Sequence, residues 1–166
     1  MADLQLIKHS EILFRDLLRG IAIKNVAWPH PVESQLKWII ENMYPEDYHV
    51  FLTENGKDKA YMTLSPVKGE MNGTETVFWG VGCVCTSSKG EGYGGMLLKK
   101  TNQYLLDKGV KGLLFCKKQL IPFYEKYDWK VVPQNRVIIP GENPGVYTMV
   151  YNCPEIERLK YSGRMF

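Results

Sequence analysis

The stretch that most constrains this chain is Val81-Gly82-Cys83-Val84-Cys85-Thr86-Ser87-Ser88-Lys89-Gly90-Glu91-Gly92-Tyr93-Gly94-Gly95-Met96-Leu97-Leu98. An apolar, β-branched run feeds a polar turn dense in glycine, then a helical pattern whose first turn is Gly92 to Gly95. A helix start carries backbone N–H groups without intrahelical partners and the positive end of the helix dipole, so an anion is stabilised there. Glycine removes the Cβ that would hold a phosphate away and allows the dihedrals of a tight turn. The segment reads as a phosphate cradle. Gly90-Glu91-Gly92-Tyr93-Gly94-Gly95 fits GxGxxG, but a dinucleotide fold needs an acidic residue about 20 positions on to hold the ribose. The chain has Gly112-Leu113-Leu114-Phe115-Cys116-Lys117-Lys118 there, with bases in place of the acid, and no βαβ repeat precedes Val81. A Walker loop is excluded as well, because Met96 follows Gly95 where Lys-Ser/Thr is required.

Length and composition narrow the class. At 166 residues the chain is expected to form one domain, residues 1–166, with a core that needs neither disulfides nor metal. A formal net charge of +3, scattered along the sequence, does not argue for nucleic acid. No run of about 18 apolar residues calls for a membrane span, and Met1-Ala2-Asp3-Leu4-Gln5 lacks a signal-peptide pattern, so a cytoplasmic location is expected. Cys83, Cys85, Cys116 and Cys153 then read as reduced and mostly buried. Cys83-x-Cys85 with Cys116 lacks a second closely spaced Cys or His pair, so no metal site is expected.

Along the chain, Leu4 to Lys8 reads as a strand, and Ser10 as the cap of a helix Glu11 to Ile23. In that helix Ile12, Leu13, Leu17, Leu18 and Ile21 form one apolar face. A second helix runs from Gln35 to Met43, with Leu36, Ile39 and Ile40 inward. Strands His49–Thr53 and Lys59–Pro66 flank Asn55-Gly56, a strong hairpin signal. Lys68–Gly73 reads as a loop before the longest strand, Thr76–Thr86. A helix Gly92–Lys108 separates that strand from Leu113–Cys116, which makes the two parallel. A short helix Ile121–Tyr127, a strand Trp129–Val132, a long excursion Pro133–Gly145 and a last strand Val146–Tyr151 follow. The pattern is a mixed sheet of the α/β (α+β) class with helices on both faces.

Two ordered segments carry a family resemblance. Lys89-Gly90-Glu91-Gly92-Tyr93-Gly94 resembles the (Arg/Gln)-x-x-Gly-x-(Gly/Ala) acyl-CoA signature of the GNAT superfamily of N-acetyltransferases. Phe123-Tyr124-Glu125-Lys126-Tyr127-Asp128-Trp129 resembles that superfamily's Phe-Tyr-Glu-Lys-x-Gly-(Phe/Trp) segment. Lys89 stands where Arg or Gln is usual, and still offers a positive charge. Asp128 stands where Gly is usual, and Asp tolerates a left-handed conformation better than most residues.

The resemblance implies a mostly antiparallel central sheet with two splayed parallel central strands, and acetyl-CoA as acyl donor. It implies that the pantetheine arm runs beside Gly82, Cys83 and Val84, and that a freed strand amide meets the thioester carbonyl. There a fixed donor to the developing oxyanion is worth about 3 kcal/mol. Gly90, Gly92, Tyr93, Gly94 and Gly95 would face the pyrophosphate, with Lys89 as charge partner and Lys117 or Lys118 as an outer phosphate contact. Cys83 or Cys85 could lie close to the thioester, packing being the other account of a strand cysteine.

Tyr124 is the candidate general acid, with Tyr127 one turn on as its competitor, since a phenol stays protonated at neutral pH and can serve the leaving thiolate. Glu75 is the candidate base, and His49 or Glu54 could act through water. No nucleophile with a partnered base stands out, so the expected reaction is direct attack of a primary amine on the thioester. The tail from Trp129 to Val150 loosely resembles the aminoglycoside acetyltransferase branch, which implies a small-molecule amine acceptor. Acetylation of a protein amine and a non-catalytic acyl-CoA sensor are the alternatives. No nucleic-acid or membrane partner is expected, and a monomer or homodimer is.

Overall fold

The protein is described by a computed structural model covering residues 1–141 and 145–166; Glu142, Asn143 and Pro144, in the expected excursion Pro133–Gly145, lie outside the described residues. In chain order the elements are β1 (Ala2–Lys8), α1 (Phe14–Ala27), α2 (Val32–Asn42), β2 (Tyr48–Glu54), β3 (Lys57–Met71), β4 (Thr74–Thr86) and α3 (Tyr93–Asp107). They continue with β5 (Lys111–Lys117), α4 (Ile121–Glu125), β6 (Lys130–Val131), β7 (Val137–Ile138), β8 (Val146–Tyr151) and β9 (Leu159–Lys160). The chain divides into two compact units interleaved in sequence, Met1–Ser65 with Gly82–Lys100, and Pro66–Val81 with Thr101–Phe166. Strands β3 and β4 run through both.

In the first unit the strand order is β1-β2-β3-β4. β1 and β2 pair antiparallel from Ala2↔Glu54 to Lys8↔Tyr48, and β2 and β3 from Tyr48↔Leu64 to Glu54↔Lys57. Asn55 and Gly56 both adopt positive φ, 51° and 71°, the two-residue turn that Asn-Gly is suited to. Helix α1 packs on this sheet through Ile23, which joins Phe51, Tyr61 and Cys85 in one buried cluster. Gly20 allows the approach: a Cβ there would sit 3.0 Å from Cε2 of Tyr61.

Ser10 does not cap a helix. His9–Glu11 form a 3-10 turn and α1 starts at Phe14, with no side-chain cap bond. The reason is tertiary: the His9 and Ser10 amides donate to the carbonyls of Asp47 (2.7 Å) and Pro45 (3.1 Å), which ties the segment to the approach to β2. The apolar faces are also narrower than the pattern suggested. Leu13, Leu18 and Ile40 are exposed while Ile21, Ile23 and Ile39 are buried.

In the second unit the order is β3-β4-β5-β8-β6, with β9 alongside β3 and β7 parallel to β9. β5 pairs antiparallel with β8 over Gly112↔Tyr151 to Lys117↔Val146. The parallel register of β4 with β5 covers Phe78↔Lys111, Trp79↔Gly112 and Gly80↔Leu113, then stops although both strands run on. That is the splay of two parallel strands in a mostly antiparallel sheet.

The loop expected at Lys68–Gly73 is instead the end of β3, and at 15 residues β3 rather than β4 is the longest strand. Pairing of Glu70 and Met71 with β9 overrides the turn-forming composition, leaving only Asn72 (φ 52°) and Gly73 (φ 83°) to turn. Asn72 fixes that corner by accepting the amides of Glu157 (2.9 Å) and Arg158 (3.1 Å) on Oδ1. The core of this unit gathers Phe78, Leu113, Val132, Val150, Ile156, Leu159 and Tyr161.

Trp129 closes the second signature. It is 1% exposed, its Nε1 donates to Oδ1 of Asn102 on α3 (3.0 Å), and its ring stacks on Tyr151 at 5.5 Å. Asn102 also donates to the Tyr127 carbonyl (2.8 Å), and Asp128 takes a φ of 66°, the left-handed turn at which glycine is usual. The indole fits only because residue 112 has no side chain: a Cβ there would lie 2.6 Å from Cη2. Gly112→Ala is therefore expected to destabilise the fold by about 2 kcal/mol, an overpacking cost. Urea unfolding would measure it, and an unchanged midpoint would contradict this slot.

A buried polar chain crosses the first unit. Tyr61 OH and Nδ1 of His49 are 2.7 Å apart, and Nε2 of His49 and Nδ1 of His9 are 2.9 Å apart. Burial, then the charges of His9 and Lys24, push His49 down to about 3, and burial lowers His9 too. The folded chain thus keeps His49 neutral while the unfolded chain takes up a proton below its ordinary value of 6.5. Stability should therefore fall as pH drops from 6.5 towards 3, by about 2 kcal/mol at pH 5 from this residue. Urea midpoints at pH 7 and pH 5 should draw together in His49→Gln. An equal pH dependence in the two proteins would contradict the assignment.

Candidate functional site

The first unit carries the cradle. Within β4, Cys83 sits at φ 55°, a left-handed conformation that is an outlier for a non-glycine residue inside a strand and typical of a β-bulge. It turns the backbone locally between Gly82, which is buried, and Val84, which is half-buried. Successive amides there leave the even alternation of a strand, as an added acyl chain needs. Burial pushes the pKa of the Cys83 thiol up and outweighs the lowering by the charge of Lys24 and by the Thr63 side chain. Cys85 is pushed up to about 12 by burial first and Cys83 second, and its Sγ points to the Tyr61 carbonyl at 3.7 Å. Both thiols are protonated at neutral pH, which removes them as nucleophiles.

After β4 the chain turns through Ser87–Gly92. Ser87 N and Oγ donate to the Lys59 carbonyl (2.9 and 3.2 Å), and Ser88 Oγ donates to the Glu91 carboxylate. Gly90 and Gly92 both have φ 79°, a conformation that side chains resist. α3 begins at Tyr93, and the first intrahelical bond is Met96 N to the Gly92 carbonyl (3.1 Å). The Tyr93, Gly94 and Gly95 amides therefore point out of the helix start without intrahelical acceptors. Nothing lies within 4 Å of where a Cβ would stand on Gly90 or Gly92. Lys89 is exposed beside them, ready to neutralise an anion.

Tyr93 fastens the cradle to the β2–β3 hairpin, a brace the sequence did not reveal. Its hydroxyl donates to Oε2 of Glu54 at 2.7 Å, which raises its pKa, and Nζ of Lys59 lies 4.9 Å from its ring centre. Glu54 is thereby a holder of Tyr93 rather than a free base. His49, at about 3 and buried, is too weak a base to take a proton from an aliphatic ammonium of pKa about 10.

The second unit carries Tyr124, Lys117 and Glu75. Tyr124 lies on α4, 7% exposed, with its ring against Phe123 (5.1 Å) and Trp129 (6.3 Å). Burial, and then Cys116, push its phenol up to about 12. The competing Tyr127 is half-buried, its ring 5.6 Å from that of Phe123 and its carbonyl held by Asn102. Lys117 is exposed at the end of β5. Glu75 lies at the opposite end of β4 from the glycine turn, exposed and ion-paired with Lys68 at 3.4 Å. Six residues of strand, about 20 Å, separate it from Val81. The catalytic role expected for Glu75 is not supported by that position.

Sequence reasoning also passed over Lys24. It falls three residues after Ile21 and four after Gly20, on the inward stripe of α1, and is only 5% exposed. A lysine inside an apolar stripe was the available signal. Among the described residues no group of three or more His, Cys, Asp or Glu is placed to hold a metal, and no helix is long and apolar enough to cross a membrane.

No family model and no curated sequence matches the chain. Solved structures do. ElaA of Escherichia coli superposes with a TM-score of 0.61 at 17% identity, over 90% of this chain and 99% of that one. An acyl-CoA N-acyltransferase from Pseudomonas aeruginosa gives 0.63 at 15% identity, over 90% and 99%. An aminoglycoside 6'-N-acetyltransferase complexed with coenzyme A gives 0.64 at 14% identity, over 91% and 98%. With the splayed β4–β5 pair and the glycine turn leading into α3, these likenesses identify the fold of the chain as that of the GNAT acyl-CoA N-acyltransferases.

Proposed function

We propose that the chain is a single-domain, acetyl-CoA-dependent N-acetyltransferase that transfers the acetyl group to the primary amine of a small molecule. The observation that carries this reading is the run from the left-handed Cys83 to the outward amides of Tyr93, Gly94 and Gly95. It combines strand amides for a pantetheine arm with a helix start for a pyrophosphate. The fold shared with a coenzyme A-complexed acetyltransferase supports acetyl-CoA as donor.

In this reading the neutral amine attacks the thioester carbon and forms a C–N bond. The carbonyl oxygen becomes an oxyanion that accepts a hydrogen bond from an amide beside Cys83. The intermediate collapses by breaking the C–S bond, the amine proton passes to water, and coenzyme A leaves as thiolate and then thiol. Tyr124 stays protonated throughout the working pH range because its pKa is near 12. Full proton transfer from such a phenol to a thiolate of ordinary pKa about 8.5 is uphill by about 5 kcal/mol. Its contribution is therefore a hydrogen bond to the departing sulfur, with solvent delivering the final proton. Lys89 and Lys117 add positive charge for the phosphates.

Calorimetry should find acetyl-CoA binding in the wild type and its loss in Gly94→Trp, whose indole fills the helix start. Tyr124→Phe should keep binding and lower kcat by about 100-fold. Binding by the wild type without turnover on any amine would make the chain an acyl-CoA sensor, and no binding at all would end the reading. Because Glu75 is a solvated ion pair, Glu75→Gln should leave kcat/KM within about twofold, while the wild-type rate rises with pH as the acceptor amine deprotonates. A collapse of activity in Glu75→Gln would restore it as the base.

A further inference from the structure

Among the described residues, the cationic side chains of α1 and α2 lie within ion-pair distance of acids, Arg15 of Asp16 at 4.0 Å among them, with one exception. Arg19 holds Asp58 (2.7 Å) and Asp16 (2.8 Å), and Lys37 lies 3.8 Å from Glu41. Lys24 is the buried cation of the group, and among the described residues its ammonium has no carboxylate within ion-pair distance. Its neighbour is the face of Trp38, with Nζ 4.1 Å from the ring centre. The stem is buried, but among the described residues no buried side-chain nitrogen lacks a hydrogen-bond partner, so the ammonium over the ring face is reached by solvent and can be reached by an anion.

The direction of Lys24 is defined by its neighbours. Gly20, one turn before it, lies against the Tyr61 ring, and Ile23 beside it packs with Phe51, Tyr61 and Cys85. This turn of α1 therefore lies over the strip of β2, β3 and β4 that contains Cys83. Its charge bears on Cys83, Cys85 and His49. Neither thiol is ionised at neutral pH and His49 is neutral, so nothing in the strip supplies a countercharge. Asp47, the buried carboxylate of the same unit, accepts the Tyr44 amide on Oδ2 at 2.9 Å and acts on His9 and His49, and it is not within ion-pair distance of Lys24.

We propose that Lys24 binds a carboxylate of the acceptor, so that the substrate is a small amine carrying a carboxylate a few bonds from its nitrogen. This deepens the acetyltransferase reading and rests on it for the chemistry. Lys24 is close to the Cys83 strip where that reading seats the thioester, so the two functional groups of the acceptor must be close together. The same positive charge disfavours polycationic acceptors, although the overall fold is shared with an aminoglycoside acetyltransferase. Lys24 is a specificity residue, and its loss should act on KM more than on kcat.

The test pairs amino carboxylates with their primary amides and with a linear polyamine, in wild type, Lys24→Met and Lys24→Arg. Two readouts are needed: coenzyme A release, and the shift in thermal midpoint that each acceptor causes without acetyl-CoA. The wild type should prefer carboxylates over amides by about 10- to 100-fold in kcat/KM, as a charge-assisted contact implies. Lys24→Met should abolish that preference through KM and leave the amides within about threefold. Lys24→Arg should keep part of it. Circular dichroism checks that Lys24→Met folds, which removal of a buried charge favours. A preference that survives Lys24→Met, or amides and polyamines used as well as carboxylates, overturns the proposal. If carboxylates raise the midpoint only when Lys24 is present but no amine is acetylated, the anion site stands and the transferase reading falls.

Discussion

The proposed chemistry rests on one backbone conformation, the left-handed Cys83 inside β4. A non-glycine residue there costs about 1–2 kcal/mol, and such residues persist where their surroundings leave no alternative. Those surroundings are in the first unit, where Cys83 packs against the buried cluster of Ile23, Phe51, Tyr61 and Cys85. Without this turn β4 would be an ordinary strand with its amides committed alternately to each side. With it, the strand passes from a three-pair parallel register with β5 to a glycine turn and a helix start.

The two units carry different groups of the proposed reaction. The first supplies fixed dipoles and one exposed lysine, held by the Glu54–Tyr93–Lys59 brace and by Ser87 on the Lys59 carbonyl. The second supplies a phenol that burial keeps protonated, on a short helix anchored through Trp129 and Asn102. The cysteines, conspicuous in sequence, are chemically quiet. Burial raises Cys83, and pushes Cys85 to about 12 and both Cys116 and Cys153 to about 11. The proposed direct attack on a thioester therefore calls on none of these thiols as a relay.

Local chemistry made the glycine turn, the Asn55-Gly56 hairpin and the left-handed Asp128 legible in the sequence, because each depends on residues adjacent in the chain. What tertiary contacts decide was not legible. Ser10 looked like a cap until its amide met Pro45, and Lys68–Met71 looked like a loop until β9 paired with its end. Glu75 illustrates the same limit at the site. Its place at the start of a long strand was legible, but its exposure and its ion pair with Lys68, which bear on a role as base for the acceptor amine, were not. Lys24 was visible only as an oddity of pattern, since its burial, and the lack of an acid partner among the described residues, are properties of the folded chain.

The most direct test of the central claim is to follow backbone amide resonances of the full chain by NMR during titration with acetyl-CoA. The amides of Gly92, Tyr93, Gly94 and Gly95 should show the largest shifts, those of Gly82 to Val84 should follow, and acyl thioesters truncated before the pyrophosphate should shift the strand more than the helix start. Saturating acetyl-CoA that leaves the Gly92–Gly95 amides unmoved would contradict the claim that this helix start holds the acyl donor.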